Sequence, residues 1–168
     1  KVIAFSRLTD LYGDIPYSEA GKGYIDLNIY PKYDKQEDIY NDFFKELKES
    51  YTMLDASKDQ VPTEQYFHGD INKWKKLANS LRLRFAMRLV KVNPEKARTE
   101  AEAAIADGVM ESNADICSIK YENIESSGAE FRGNGLSVAM TSTIYRINTA
   151  FLDFLKPDNV TDPVDPRL

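Results

Sequence analysis

The side chains that could do chemistry are few in kind. His68 is the sole histidine, Cys117 the sole cysteine and Trp74 the sole tryptophan. A catalytic triad needs a nucleophile, a base and an orienting acid, and a zinc site needs several ligands together. Neither pattern surrounds His68. Gly133-Asn134-Gly135 has no following Gly-Lys-Ser/Thr, so it reads as a tight turn and not a phosphate loop. Paired carboxylates can hydrolyse glycosides, but 27 acids make pairs by chance, and none lies in a context that would exclude water. Asp158, Asp162 and Asp165 could gather on a calcium ion, yet their spacing fits no EF-hand and a plain turn is expected. No catalytic set, cofactor or metal is implied. Cys117 cannot form an internal disulfide, and its alternating apolar neighbours place it as a buried residue.

The tyrosines are more informative. Tyr12, Tyr17, Tyr24, Tyr30 and Tyr33 crowd into one stretch of the chain. A phenol presents an apolar face to a sugar ring and a hydroxyl to its polar groups. The same residues also serve to anchor loops onto helices, and both readings stand. A glycan site in this chain belongs in the aperiodic segment from Ser18 to Tyr33. Tyr24 and Tyr30 are its stacking candidates, with Asp26 and Asn28 beside them to exchange hydrogen bonds with hydroxyls. Asn134, in a second aperiodic loop from Glu125, is the remaining candidate. Trp74 shares a helical stripe with Leu77, Leu81 and Phe85, which places it in the core, in contact with the fourth helix.

These residues need a frame, and the periodicity supplies a helical one. Val2, Ile3, Phe5, Leu8 and Leu11 or Tyr12 recur at helical spacing until Gly13 and Pro16 stop them. Asp34, followed by Glu37, reads as a capping box for a second helix striped by Ile39, Phe43, Phe44, Leu47, Tyr51 and Leu54. Asp70 caps a third helix that carries a basic flank, Lys73 to Lys91, read as a solvated face paired to nearby acids, with a binding patch as the alternative. Asn93-Pro94 opens a fourth helix that ends at Asp107-Gly108. Alternation around Ile116 to Glu122 suggests a short strand. A last helix is expected over Thr143 to Leu155. Helix starts near residues 36 and 71 lie about 35 apart, close to a tetratricopeptide period. The fold class is therefore mainly α: antiparallel, tetratricopeptide-like helix pairs with long loops and little β, forming one helical domain over residues 1–168.

A net charge of −5 argues against binding nucleic acid or an anionic membrane surface. The chain opens inside an apparent helix and closes on Asp165-Pro166-Arg167-Leu168, which reads as part of a longer protein.

Two segments, Leu11-Tyr12-Gly13-Asp14-Ile15-Pro16-Tyr17-Ser18-Glu19-Ala20 and Gly69-Asp70-Ile71-Asn72-Lys73-Trp74 through Arg88, resemble the SusD/RagB family. The resemblance extends from about Phe5 to the final Leu168. It implies a non-catalytic, nutrient-binding lipoprotein of the outer membrane, usually a glycan binder of polysaccharide utilization. Its partner would be a SusC-like TonB-dependent transporter, and its lipid anchor would lie in a segment outside this chain. The matching motifs belong to the scaffold, so the resemblance names no ligand residue. The competing reading is a helical-repeat module that binds a protein or peptide without a nutrient role. Asn, Gln and basic side chains along a concave helix face would favour that module; exposed aromatic loops would favour a glycan.

Overall fold

The computed structural model describes residues 1–58, 61–121 and 148–156. The chain divides into two compact units, Lys1–Ile119 and Lys120–Leu168. In the first, the order is α1 (Val2–Tyr12), β1 (Ile15–Pro16), β2 (Tyr33–Asp34), α2 (Gln36–Met53), α3 (Ile71–Arg88), α4 (Pro94–Ala106) and a 3-10 turn at Asn113–Asp115. In the second, α5 (Thr149–Leu155) is described, with Asn148 Oδ1 accepting from the Ala150 N–H at 2.8 Å. The protein is thus mainly helical with little strand, as the periodicity indicates.

Successive helices of the first unit pack against one another, and the paired residues show that they run antiparallel. Lys1 reaches Glu46 while Thr9 lies at Gln36. Tyr40 stands edge-on to Phe85 while Lys75 lies over Tyr51. Asn79 meets Asp107 while Arg82 meets Glu100. The core is built on Ile39, Phe43, Phe44 and Leu47 of α2 against Phe85 and Ala86 of α3. The rings of Phe43 and Phe85 lie 5.4 Å apart. Small residues bring α4 close, with Ala97 and Ala104 fully covered.

Two of the expected caps form. Asp70 accepts from the Asn72 and Lys73 N–H groups, and Asn93 Oδ1 accepts from the Lys96 N–H at 3.1 Å with Pro94 opening α4. Gly13, at φ 73, closes α1 with its N–H on Thr9. The capping box of α2 does not form. Lys35 holds the cap position without a side-chain bond, and the Gln36 N–H donates to Asp14 Oδ1 at 2.9 Å instead. Asp34 turns the other way, into the loop before it.

Other expectations need correction. Residues 116–121 follow the 3-10 turn as irregular chain and not as a strand, and none pairs with another strand among the described residues; Glu122 lies outside the described residues. Cys117 is half-buried, and burial pushes its thiol pKa up. Trp74 is half-buried too, and its ring and hydrogen-bond partners come from the loop before α3. Its ring stands edge-on to Phe67 at 5.1 Å, near Tyr66, and its indole N–H donates to Glu64 Oε2 at 3.1 Å. The basic flank of α3 is not uniformly solvated. Arg82 is buried, its Nε 2.7 Å from Glu100 and its Nη1 3.0 Å from Asp107. Glu100, also buried, takes a second bond from Lys48 at 2.6 Å. This network joins α2, α3 and α4. Charges can be buried there because every one has an opposite partner and a directed hydrogen bond.

Candidate functional site

The segment from Ser18 to Tyr33 leaves and re-enters the helical frame through one narrow neck. Its base is the two-residue antiparallel ladder, with Ile15 opposite Asp34 and Pro16 opposite Tyr33. Asp34 Oδ2 accepts from the Tyr17 N–H at 3.2 Å and the Ser18 N–H at 2.7 Å, and the Ser18 hydroxyl adds a further bond. These donors, the Ser18 backbone first, hold the Asp34 carboxyl below the usual carboxylate range. Farther out, Glu19 Oε2 accepts from the Lys32 N–H at 3.1 Å and from Asn28 Nδ2 at 3.0 Å. The Lys32 amide is the leading cause of a lowered Glu19 pKa. Two carboxylates therefore tie the strands of the loop together without a regular sheet.

The loop divides the tyrosines by role. Tyr17 is a packing residue: it is buried, stands edge-on to Phe43, and donates its hydroxyl to Asp42 at 2.5 Å. Burial, reinforced by Asp42, pushes its pKa up to about 12. Tyr24 and Tyr30 point away from the frame, Tyr30 at 87% exposure and Tyr24 fully open. Asn28 is engaged at both ends, since its Oδ1 also accepts from the Tyr30 N–H at 3.2 Å. It orders the loop that presents Tyr30. Asp26 is exposed, with its N–H bonded to the Lys22 carbonyl at 2.8 Å. The turn between Asp26 and Asn28 passes through Leu27 at φ 54, a left-handed conformation that an aliphatic residue adopts only when its neighbours fix it. Asn134 lies outside the described residues, as do Asp158, Asp162 and Asp165.

Beside the neck is a hollow of about 670 Å³ walled by Phe5, Leu8, Tyr12, Ile15, Pro16 and Tyr33. Tyr12 and Tyr33 are themselves largely exposed, at 73% and 71%. The structure thus brings these two tyrosines to one hollow, whereas Tyr24 and Tyr30 belong to the outer loop and do not line it. Sequence spacing could not pair them, because the ladder that does so joins residues on opposite sides of the loop. The result is a pinned, apolar and aromatic surface with a few polar atoms at its edge. That combination can hold a sugar ring by its face and its hydroxyls by hydrogen bonds.

No curated protein matches the chain. Among solved structures, it is similar to a chitin-binding protein, at 48% identity and a TM-score of 0.78, over 92% of this chain and 32% of that one. It is similar to a SusD homolog from Bacteroides uniformis at 44% identity and TM-score 0.63, over 71% of this chain and 25% of the other. A chitin-binding SusD homolog from Flavobacterium johnsoniae is 40% identical, with TM-score 0.59, over 68% of this chain and 25% of its own. The chain therefore spans between a quarter and a third of these relatives. The profile of the SusD-like family, described as starch-binding and associating with the outer membrane, matches residues 1–167. On that match and these identities, the chain belongs to the SusD-like family.

Proposed function

We propose that this chain is the helical frame, and part of the ligand surface, of a glycan-binding protein at the cell surface. It binds without making or breaking a bond. It passes its ligand to a SusC-like TonB-dependent transporter in the outer membrane, where a lipid anchor carried elsewhere in the polypeptide holds it. The family's association with the outer membrane supports the location. The observation that carries the binding role is the loop from Ser18 to Tyr33, which holds Tyr24 and Tyr30 open to solvent on a backbone fixed by Glu19 and Asp34. Tyr24, Asp26, Asn28 and Tyr30 remain the proposed ligand residues, joined by Tyr12 and Tyr33 at the hollow; Asn134 is kept as a candidate from the second loop. Chito-oligosaccharides are the first ligands to test, because two of the similar structures are chitin-binding proteins.

The test is calorimetric titration of the family-length protein with chitohexaose and maltohexaose. Each aromatic face is worth about 0.5–1.5 kcal/mol beyond its burial. Tyr30→Ala and Tyr33→Ala should therefore each weaken a bound oligosaccharide by roughly 2- to 10-fold. Full affinity in Tyr24→Ala, Tyr30→Ala and Tyr33→Ala, with unchanged circular dichroism, would place the site elsewhere.

A further inference from the structure

A groove of about 480 Å³ lies where the first turn of α1, the second half of α2 and the first half of α3 meet. Two rows of side chains wall it: Leu47, Ser50 and Leu54 on α2, and Trp74, Leu77 and Leu81 on α3. Both rows step by three residues and then by four. Each therefore keeps to one helix face for two turns, roughly 10 Å. Leu47 is buried, whereas Met53, at 78% exposure, and Ile3 stand open to solvent along the same groove.

The polar content of the groove is small. Lys1 Nζ lies 2.9 Å from Glu46 Oε1, so the two charges at its edge answer each other. The Trp74 indole N–H is already given to Glu64, which leaves the Ser50 hydroxyl. A small-molecule site combines an apolar wall with several directed polar groups, and a sugar laid here would leave its inward hydroxyls unpaired. An apolar groove between two packed helices is instead the shape that the side-chain ridge of a third helix fills.

The source of that helix follows from length. The chain spans 32% of the chitin-binding relative and 25% of each SusD homolog described above. About two-thirds to three-quarters of each relative thus has no counterpart in it. A segment of the same polypeptide is kept near the groove by its own connection, and it avoids much of the entropy that a separate partner loses on association. Stacked helical units cover their open faces in the same way, each with a neighbour from its own chain.

We propose that this groove is the seat of an amphipathic helix from the part of the family-length polypeptide outside residues 1–168. The apolar ridge of that helix lies between the α2 and α3 rows and covers Ile3 and Met53. The seat is independent of the glycan surface and stands or falls without it.

The test uses the family-length protein carrying Met53→Cys in a Cys117→Ser background. Maleimide labelling is followed by peptide mass mapping, at two protein concentrations, in buffer and in urea. The thiol at position 53 should react about a hundredfold more slowly in the native protein than in urea, because a covered group reacts only when its cover opens. Photo-methionine incorporated in place of methionine should cross-link position 53 to a peptide outside residues 1–168, and this arm decides the matter should Met53→Cys not fold. Native labelling as fast as that in urea overturns the proposal, and so does a cross-link from position 53 confined to residues 1–168. Protection that weakens on dilution would make a second copy of the protein the occupant and would overturn the intramolecular helix.

Discussion

Glu100→Gln is the substitution that most directly tests the physical account of the frame. The glutamine keeps the shape and removes the charge. In the native chain the Glu100 carboxylate is 8% exposed, with Arg82 at 2.7 Å and Lys48 at 2.6 Å. Burial pushes its pKa up, but the bonds from Lys48 and Arg82 outweigh burial and hold it below the ordinary value. Removing one member of a buried pair costs about 3–5 kcal/mol, because the other is left as an uncompensated charge. Here Arg82 keeps Asp107 at 3.0 Å, and Lys48 is half exposed and can return to water. The low end applies, about 3 kcal/mol. The assay is urea unfolding at pH 7. For a slope of about 2 kcal/mol/M, the midpoint should fall by roughly 1.5 M. The sign with pH follows from the lowered pKa. The stabilisation is complete above the unfolded value of about 4.3 and is lost as pH falls through the lower folded value. Wild type and variant should therefore differ fully at pH 6 and converge at strongly acidic pH. A loss below about 0.5 kcal/mol at pH 7 would show that the network contributes no more than a surface pair. A difference that persisted unchanged in strong acid would show that the carboxylate's charge is not its source.

Three further outcomes follow from residues already described. Asp14→Ala removes the acceptor for the first N–H of α2 and should cost about 1 kcal/mol, as loss of an ordinary N-cap does; thermal unfolding reads it, and no change would mean that water replaces the carboxylate fully. Trp74→Ala should cost about 2 kcal/mol, roughly half the usual loss for a buried aromatic, because the ring is only half covered; a loss near 5 kcal/mol would show a deeper packing role. Tyr17 has its pKa raised from about 10 to about 12, so folding favours the neutral phenol and stability falls as pH rises past about 10. Tyr17→Phe should lack that alkaline decline, which denaturation at pH 8 and pH 10.5 compares; identical declines would remove Tyr17 as its cause.

What could be read along the chain was local. Asp70, Asn93, Gly13 and Gly108 act on backbone groups within a few residues of themselves, so residue type and order suffice to place them. Asp34 and Glu37 have the spacing of a capping box, and that too is local information, yet it misled. Asp34 is drawn off by the Tyr17 and Ser18 amides, and Asp14, far upstream, takes over the helix start. Arg82 failed for the same reason. Its position in a basic run suggested a solvated residue paired to an acid; the pairing is there, but its partners Glu100 and Asp107 lie on another helix and its end, and the pair is buried between them. Composition flagged the tyrosine-rich segment without distinguishing Tyr17, which fills the core, from Tyr24 and Tyr30, which do not. Side-chain fate there is decided by a fold-back that no period announces.

The neck of that loop has an evolutionary consequence. Ile15–Pro16 and Tyr33–Asp34 close it with a two-residue ladder, and Asp34 and Glu19 bind backbone amides, which every residue but proline supplies. Within the interval between Ala20 and Pro31 the closure calls on one side chain, Asn28, which donates to Glu19. Doubling the length of a closed loop adds only about 0.6 kcal/mol, so insertions there should be inherited at small thermodynamic penalty. Diversification of the displayed surface can proceed in that interval while the helices beneath remain under a separate and stricter selection. The same neck offers protein engineers a grafting point at which foreign recognition loops can be exchanged on a constant frame.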